Sequence, residues 1–469
     1  MADGGQISRR EFVRLSLGGA AAVAGWAARP RAAGAAAKTG RRAGRKPNII
    51  FVMVDDMGYG DVGCFGQKHI RTPVLDRMAA EGLKLTRFHA GFPLCLPSRC
   101  TLMTGLHTGH CRCRVNGGGG NHPMLAEEDT TVATVLRAAG YTTAMIGKWS
   151  LGDLFVGCAV NSKNKDGSGA IYKHGWDYYF GEPNQTFVHS YYLDQMYRYD
   201  RKGLLGKKTE GKRLDVVRYP DNSKKRTHYS HDLLTEKALA FIDAAKGGPF
   251  FLYLPYTVPH AKFEIPELEP YAKAASWSQT DKVYASMITR ADRDIGKLLD
   301  RLKAHGIDKD TLVIFTSDNG SHRGVEPFNS NGGFPGRKGS FALGGVRVPG
   351  IAWWPGRIKA GRTSDELLAF WDVLPTFAEL AGIEPPAPLD GVSMVPTLLG
   401  QGEQKHHKYL FFSKPGAKPG KKPPAKAAKR TRGGPGYLII RNEGETRSDE
   451  EIIAEARGPV VVPKFAPSG

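Results

Sequence analysis

Residues 48–56 read Asn-Ile-Ile-Phe-Val-Met-Val-Asp-Asp, an unbroken apolar run that ends in two carboxylates. A run of this length, rich in β-branched residues, predicts a strand buried on both faces of a sheet. Three further apolar runs also lead into polar residues: 142–147 into Lys148, 250–254 towards His260, and 311–316 into Asp318 and Asn319. The repetition indicates that several strands end at one polar site.

Helical spacing of apolar residues separates these runs, most clearly between Tyr284 and Leu302. Strands that alternate with helices predict an α/β fold in which helices flank a largely parallel central sheet. Ligands of such sheets bind beyond the carboxyl ends of the strands. We therefore expect the polar residues that follow the four runs to meet at that edge.

Charge is concentrated in two segments of the 469-residue chain. The net charge is +20, and 41% of the residues are apolar, which excludes wholesale disorder. Residues 1–46 and 414–432 each contribute eight of these net charges, so only four remain for the rest. A nucleic-acid-binding protein carries its basic residues on a structured face, so no nucleic-acid partner is expected.

The amino-terminal segment has the features of an export signal. Arg9 and Arg10 precede a short apolar run, residues 15–28, and small residues follow. This pattern predicts a twin-arginine signal over 1–37 and a linker over 38–47, and hence an exported, periplasmic or extracellular protein. The apolar run is too short to span a bilayer, and we expect no permanent membrane span.

Six cysteines raise the question of disulfide bonds in an exported chain. Four of them cluster at positions 95, 100, 111 and 113, and the others are Cys64 and Cys158. The spacing of Cys111 and Cys113 is not that of a zinc knuckle. Disulfides among these residues stay open, because spacing alone does not define their pairing.

The carboxylates suggest a cation site. Asp55 and Asp56 repel each other unless a cation neutralises them, and Asp318 and Asn319 add further oxygen atoms. A ligand set made only of oxygen suits Ca²⁺ or Mg²⁺ better than zinc. Each pair taken alone also fits an ordinary polar turn, but both pairs follow predicted core strands.

Residues 94–105 read Leu-Cys-Leu-Pro-Ser-Arg-Cys-Thr-Leu-Met-Thr-Gly. Pro97 fits the first turn of a helix, which places Cys95 at or just before a helix N-terminus. That position favours anions and activates thiols. The residues alone predict either a reactive cysteine or a disulfide at position 95.

At this point the chain resembles the sulfatase family. The resemblance is carried, in the family's order and over about residues 48–396, by Asp55-Asp56, Cys95-x-Pro97-Ser98-Arg99, Gly147-Lys148, Pro259-His260, Ser317-Asp318-Asn319-Gly320 and Lys338-Gly339-Ser340. It implies an alkaline-phosphatase-like fold and the hydrolysis of a sulfate ester, either an aryl or a carbohydrate sulfate. Without it, Lys148 and Lys338 would be interpreted as solvated surface lysines.

The resemblance also implies the chemistry. A separate maturation enzyme would convert Cys95 to formylglycine, whose hydrate would attack the sulfur of the ester. A calcium ion, with Mg²⁺ less favoured, would be held by Asp55, Asp56, Asp318, Asn319 and the modified Cys95. Arg99 and Lys148 would position the hydrate, and Lys148, His260 and Lys338 would bind sulfate. Either His260 or Lys338 would protonate the leaving alcohol.

Two features depart from the family pattern. Ser150 stands where many sulfatases have a histidine two places after the active-site lysine, and we expect His189 to substitute for it in substrate binding. The family's small C-terminal antiparallel sheet begins at residues 410–412, but a flexible, Lys/Pro/Gly-rich stretch follows. We therefore expect a catalytic domain over 48–396 and a reduced or divergent basic region over 397–469. Either sequence divergence or a change of reading frame would explain the unusual composition of this C-terminal region.

Two alternative functions stay open from the sequence alone. One is a phosphomonoester or phosphonate hydrolase of the same superfamily, and the other is a non-catalytic protein that binds sulfated glycans. Turnover of an aryl sulfate against an aryl phosphate separates the first alternative from a sulfatase. Retention of glycan without release of sulfate would identify the second.

Overall fold

The computed structural model describes residues 46–117, 123–152, 167–185, 187–323, 327–416, 436–457 and 459–465. The strands of these residues are β1 (Asn48–Val54), β2 (Leu83–Leu85), β3 (Phe88–His89), β4 (Thr142–Ile146), β5 (Tyr178–Gly181), β6 (Gln195–Asp200), β7 (Asp215–Arg218), β8 (Phe250–Pro255), β9 (Thr311–Ser317), β10 (Gly350–Trp353), β11 (Arg362–Ser364), β12 (Leu368–Ala369), β13 (Tyr409–Ser413) and β14 (Tyr437–Arg441).

The α-helices of the same residues are α1 (Pro73–Ala80), α2 (Cys95–Thr104), α3 (Val132–Ala138), α4 (Asn222–Lys225), α5 (Ser230–Ala245), α6 (Gln279–Ala304), α7 (Leu343–Val346), α8 (Val373–Leu380), α9 (Val395–Leu399) and α10 (Asp449–Ala456). Short 3-10 turns cover Tyr59–Asp61, Gly63–Phe65, Ile171–Lys173, Phe187–His189, Asp308–Asp310 and Phe370–Asp372.

A ten-stranded sheet forms the centre of the fold, in the order β11-β2-β10-β9-β1-β8-β4-β5-β6-β7. Its middle five strands, β9-β1-β8-β4-β5, are all parallel, whereas β10, β6 and β7 join in antiparallel orientation. The four apolar runs singled out in the sequence are the adjacent strands β9, β1, β8 and β4. The polar residues that follow them therefore share one edge, as predicted.

Helices cover both faces of this sheet, which explains the unbroken apolar runs. Along β1, Ile50, Val52 and Val54 face a core that includes residues of α1, α5 and α6. Ile49, Phe51 and Met53 face a second core with α2, α3 and α8. Since both faces of β1 are buried, every side chain from Ile49 to Val54 is apolar, and the one polar side chain, Asn48 at the start of the strand, donates to Thr311 Oγ1. This confirms the α/β fold with a largely parallel central sheet.

The carboxyl-terminal region contains a small antiparallel pair, β13 and β14, with Phe411 opposite Ile439. One face of the pair packs on Trp371 of the main body, and Phe411 packs on α10 on the other face. Helix α10, which the sequence analysis missed, starts at a capping box in which Ser448 and Glu451 bond each other's backbone N–H. Among the described residues of this region, the reduced C-terminal sheet that the sequence predicted consists of two strands, packed against one helix.

Some expectations lie outside the described residues. These are the export signal over 1–37, most of the linker over 38–47, most of the basic segment 414–432, and Cys158. The described residues lie within one compact unit, 45–469, and the boundary at residue 396 stays a prediction. Among the described helices, none is long and apolar enough to cross a membrane.

Candidate active site

Four oxygen-bearing side chains meet at the carboxyl end of β1 and β9, and all four are buried. The parallel register pairs Val54 with the last residue of β9, so the residues that follow each strand lie side by side. The backbone N–H of Asp56 donates to Oδ1 of Asp318 at 3.2 Å, and Nδ2 of Asn319 donates to Oδ1 of Asp56 at 2.8 Å. One oxygen each from Asp55, Asp56 and Asp318 lies within 4.8 Å of the others.

Three basic side chains neutralise these carboxylates. The guanidinium of Arg99 donates to Oδ2 of Asp318 at 2.7 and 3.2 Å. The ammonium of Lys148 lies 2.7 Å from Oδ2 of Asp55 and is fully buried. Nζ of Lys338 lies 2.7 and 2.8 Å from the two carboxylate oxygens of Asp56. Neither lysine is the solvated surface residue that lysines usually are.

Burial and charge act in opposite directions on the carboxylates. Burial alone would raise the pKa of Asp55, but the positive charges around it, chiefly Lys148, hold that pKa well below its ordinary value. Burial and the charge of Asp55 raise the pKa of Asp318 to about 7, although Arg99 acts against them. The protein's own cations therefore do not fully neutralise the negative charge of the three adjacent carboxylates.

These residues fit a hard divalent cation. Oδ1 of Asp55 and Oδ1 of Asn319 are buried and have no hydrogen-bond partner. Buried oxygen acceptors without partners are unfavourable unless an ion or a water satisfies them. The donor atoms are all oxygen, which is the ligand type that Ca²⁺ and Mg²⁺ prefer. The sequence-predicted set, Asp55, Asp56, Asp318 and Asn319, is brought together as a whole.

Cys95 is the first residue of α2 and is buried. Its thiol, with ligand atoms of Asp55 and His260, forms a group whose members lie within 4.8 Å of one another. Leu94 precedes it in an extended conformation, and Pro97 occupies the first turn, where no backbone N–H is needed. The helix therefore presents its positive end, with Cys95, to the carboxylate cluster.

Two histidines complete the site. The rings of His189 and His260 stack with centroids 3.6 Å apart. Nε2 of His189 lies 2.8 Å from Nζ of Lys148, and Nε2 of His260 lies 3.4 Å from Oδ2 of Asp56. Burial and then the charge of Lys148 lower the pKa of His189, so the ring is neutral and its Nε2 accepts a hydrogen bond from the ammonium group of Lys148. Ser150, which stands at the family's usual histidine position, is buried and its Oγ has no partner.

Sequence reasoning missed two polar residues at the site. Nε2 of Gln185 lies 3.7 Å from the Cys95 sulfur, and Oδ1 of Asn116 accepts the N–H of Leu96 at 3.1 Å. Both lie on loops without periodicity, so no local pattern marks them. Behind α2, the thiol of Cys100 lies in hydrogen-bonding contact with those of Cys111 and Cys113, and all three are free thiols.

Comparison with known proteins identifies close similarities over most of the chain. The family model Sulfatase matches residues 47–383. N-acetylgalactosamine-6-sulfatase of Mus musculus is 34% identical over 398 residues, which cover 78% of this chain and 68% of that protein. Arylsulfatase D of Homo sapiens is 31% identical over 437 residues, which cover 78% and 70%.

Solved structures are also similar to this chain over most of its length. The crystal structure of Ps i-CgsB in complex with k-i-k-neocarrahexaose is 30% identical, with a TM-score of 0.63, and covers 78% of this chain and 79% of that chain. Phosphonate monoester hydrolase of Agrobacterium radiobacter is 21% identical with a TM-score of 0.54 over 78% and 80% of the two chains. The latter likeness shows the fold alone.

Proposed function

This chain belongs to the sulfatase family and hydrolyses sulfate esters, and on that basis we propose that residue 95, as formylglycine, is its nucleophile. The observation that carries the proposal is the convergence of Cys95, Asp55 and His260 at the start of α2. The two alternatives, a phosphonate hydrolase and a non-catalytic glycan-binding protein, are set aside because the relatives over most of the chain are sulfatases.

A formylglycine at position 95 supplies, as its hydrate, one hydroxyl that takes up the sulfuryl group and a second whose deprotonation releases sulfate. Conversion of the thiol to an aldehyde is an oxidation, so a separate maturation enzyme is required. The helix N-terminus that begins at Cys95 favours negative charge at this point. The amide of Gln185 is placed to donate a hydrogen bond to the group at position 95.

We propose that the cation is Ca²⁺, held by Asp55, Asp56, Asp318, Asn319 and the modified residue 95. A Ca²⁺ site takes more oxygen ligands than a Mg²⁺ site and tolerates less regular geometry, which suits this crowded set. When bound there, such an ion would polarise sulfate oxygens and offset their charge. Oδ1 of Asp55 and Oδ1 of Asn319 are the acceptors available for it.

The basic side chains have two proposed roles, orientation of the nucleophile and binding of sulfate. Lys148 and Arg99 are buried behind Cys95 and hold Asp55 in place, so they orient the nucleophile. Lys338 and His260 are about one-seventh exposed and line the open side of the cluster, where they bind sulfate oxygens. His189, stacked on His260 and bonded to Lys148, takes the place of the histidine that Ser150 replaces and faces the substrate.

We assign protonation of the leaving alcohol to His260. Lys338 is less suited, because both carboxylate oxygens of Asp56 hold its ammonium group. His260 has a single, longer contact with the same carboxylate, at 3.4 Å. Burial lowers the pKa of the His260 imidazole, although the charges of Asp56 and Asp55 act against it, so a proton on His260 is released at neutral pH more readily than one on a paired ammonium group.

The proposed substrate is a sulfated glycan, and the proposed location is outside the cytoplasm. Two of the similar proteins support a carbohydrate: one is named N-acetylgalactosamine-6-sulfatase, and the other, Ps i-CgsB, was solved with k-i-k-neocarrahexaose. Arylsulfatase D, by its name, supports an aryl ester instead. The twin-arginine pattern at Arg9 and Arg10 supports export. Replacing both arginines by lysine tests this, since export through that route should cease.

The mass of the peptide that contains residue 95, from protein exported by its native host, tests the central proposal. We expect the mass of an aldehyde or its hydrate in place of the thiol, together with release of sulfate from 4-nitrophenyl sulfate. An unmodified or disulfide-bonded Cys95 in protein that hydrolyses the ester would show that the nucleophile is another group. Cys95→Ser is the matched control, because a serine lacks the second hydroxyl.

A further inference from the structure

The loops that carry Cys95, His189, His260 and Lys338 form a closed ring of contacts, and each junction is a contact between named groups. Gln185 contacts Cys95, and the 3-10 turn Phe187–His189 begins two residues later. The carbonyl of His189, the last residue of this turn, accepts a hydrogen bond from the N–H of Lys262 at 3.4 Å. The Phe263 ring then lies 6.5 Å from that of His322.

The ring closes on the opposite side. Nη1 of Arg337 donates to the carbonyl of Arg323 at 3.0 Å, and the N–H of Lys338 donates to the carbonyl of Ser321 at 3.0 Å. The N–H of Gly339 donates to the carbonyl of Pro93 at 2.7 Å, which leads back to Cys95.

The charged side chains of the ring are all basic. Residues 93–96, 184–189, 260–263, 321–323 and 337–340 contain no Asp or Glu. The acidic residue that follows residues 260–263, Glu264, is partly buried and is paired with Arg226 at 2.9 Å. The side chains of Lys262, His322 and Arg337 are exposed, and Phe187 is 49% exposed, although large apolar side chains are mostly buried. Phe187, Lys262 and Arg337 are within two residues of His189, His260 and Lys338 respectively.

We propose that Phe187, Lys262 and Arg337 form the leaving-group subsite and select an oligosaccharide that carries anionic groups besides the ester that is cleaved. An exposed aromatic ring provides a flat apolar surface for the C–H face of a sugar. Fixed cations at the mouth of a cleft attract sulfate or carboxylate groups on neighbouring sugar units. This inference rests on the proposed function, because it takes the ring to surround the reacting ester.

Kinetics on two substrates test the subsite. Lys262→Gln/Arg337→Gln should raise the KM for a chondroitin 6-sulfate tetrasaccharide by about 5- to 20-fold at low ionic strength, as expected for loss of two exposed ion pairs. The effect should fade near 1 M salt, where charges are screened over about 3 Å. Phe187→Ala should raise the same KM at every salt concentration. With 4-nitrophenyl sulfate, which carries no second anion, kcat/KM of the double variant should stay within about twofold of wild type.

A matched control removes two charges elsewhere. Lys309 and Lys359 are exposed and lie near the amino end of β9, at the opposite edge of the sheet, so Lys309→Gln/Lys359→Gln should leave both substrates unaffected. If the enzyme does not cleave the tetrasaccharide, its inhibition constant against 4-nitrophenyl sulfate gives the same comparison.

Three results would overturn the proposal: equal losses on both substrates, no change on the tetrasaccharide, or a tetrasaccharide effect that the control reproduces. Failure of the proposed function looks different. Wild-type protein with formylglycine at position 95 would then release sulfate from neither substrate.

Discussion

The substitution His189→Ala tests whether His189 performs the role of the histidine that Ser150 replaces. The imidazole of His189 accepts a hydrogen bond from the ammonium group of Lys148 at 2.8 Å and stacks on His260 at 3.6 Å. A hydrogen bond to a charged group contributes about 1.5–3 kcal/mol. Because about 1.4 kcal/mol corresponds to a factor of ten, kcat/KM should fall about 10- to 150-fold.

The loss should appear mainly in kcat, because His189 positions Lys148 behind the nucleophile. Steady-state hydrolysis of 4-nitrophenyl sulfate measures it, and thermal unfolding checks that the fold is intact. His189→Gln, which keeps an acceptor oxygen, should restore part of the activity. His228→Ala removes an exposed imidazole from a nearby loop and is the matched control. If His189→Ala hydrolyses every sulfate ester as fast as wild type, the substitution argument is wrong.

Four further predictions concern the ion, the proton donor and two structural elements. Removal of divalent ions by a chelator should abolish turnover and lower the Tm, since an ion at about 100 times its Kd stabilises the fold by about 2.7 kcal/mol; Ca²⁺ should restore both better than Mg²⁺. His260→Ala should slow sugar sulfates by about 10²- to 10⁴-fold but aryl sulfates with good leaving groups far less. Phe411→Ala should lower the free energy of unfolding by about 3–5 kcal/mol in denaturant titration, because it leaves a cavity beneath α10. Burial alone would raise the pKa of Asp294, but His231 and neighbouring cations lower it well below its ordinary value. The ionised carboxylate therefore stabilises the folded state fully above the unfolded pKa, and this stabilisation declines as the pH falls towards the folded pKa. The stability difference between wild type and Asp294→Asn should be constant above about pH 4 and shrink progressively below it.

Each of these predictions has a result that contradicts it. Full activity after exhaustive chelation would exclude the ion from the reaction. A His260→Ala loss that is independent of the leaving group would assign the proton to another residue. Phe411→Ala should be compared with Val216→Ala, an exposed position that should change stability by less than about 0.5 kcal/mol. A constant stability difference between wild type and Asp294→Asn from pH 3 to pH 8 would refute the electrostatic explanation.

Local pattern was sufficient for much of the fold and the site. The apolar runs became β1, β4, β8 and β9, and the stripe from Tyr284 to Leu302 became α6. The prediction that Cys95 begins a helix is confirmed, because Pro97 restricts where a helix can start. By contrast, α10 was overlooked although its signal, the capping box at Ser448, is local.

The sequence by itself was sufficient to select the candidate residues, because burial on both faces keeps β1 apolar from Ile49 to Val54, so that the carboxylates Asp55 and Asp56 follow directly after it. Only the tertiary structure decided which loops meet there. His189 and Lys148 are 41 residues apart, and Gln185 and Cys95 are 90 apart. Their contacts depend on the strand order β9-β1-β8-β4, which follows from packing the whole sheet and not from any local pattern.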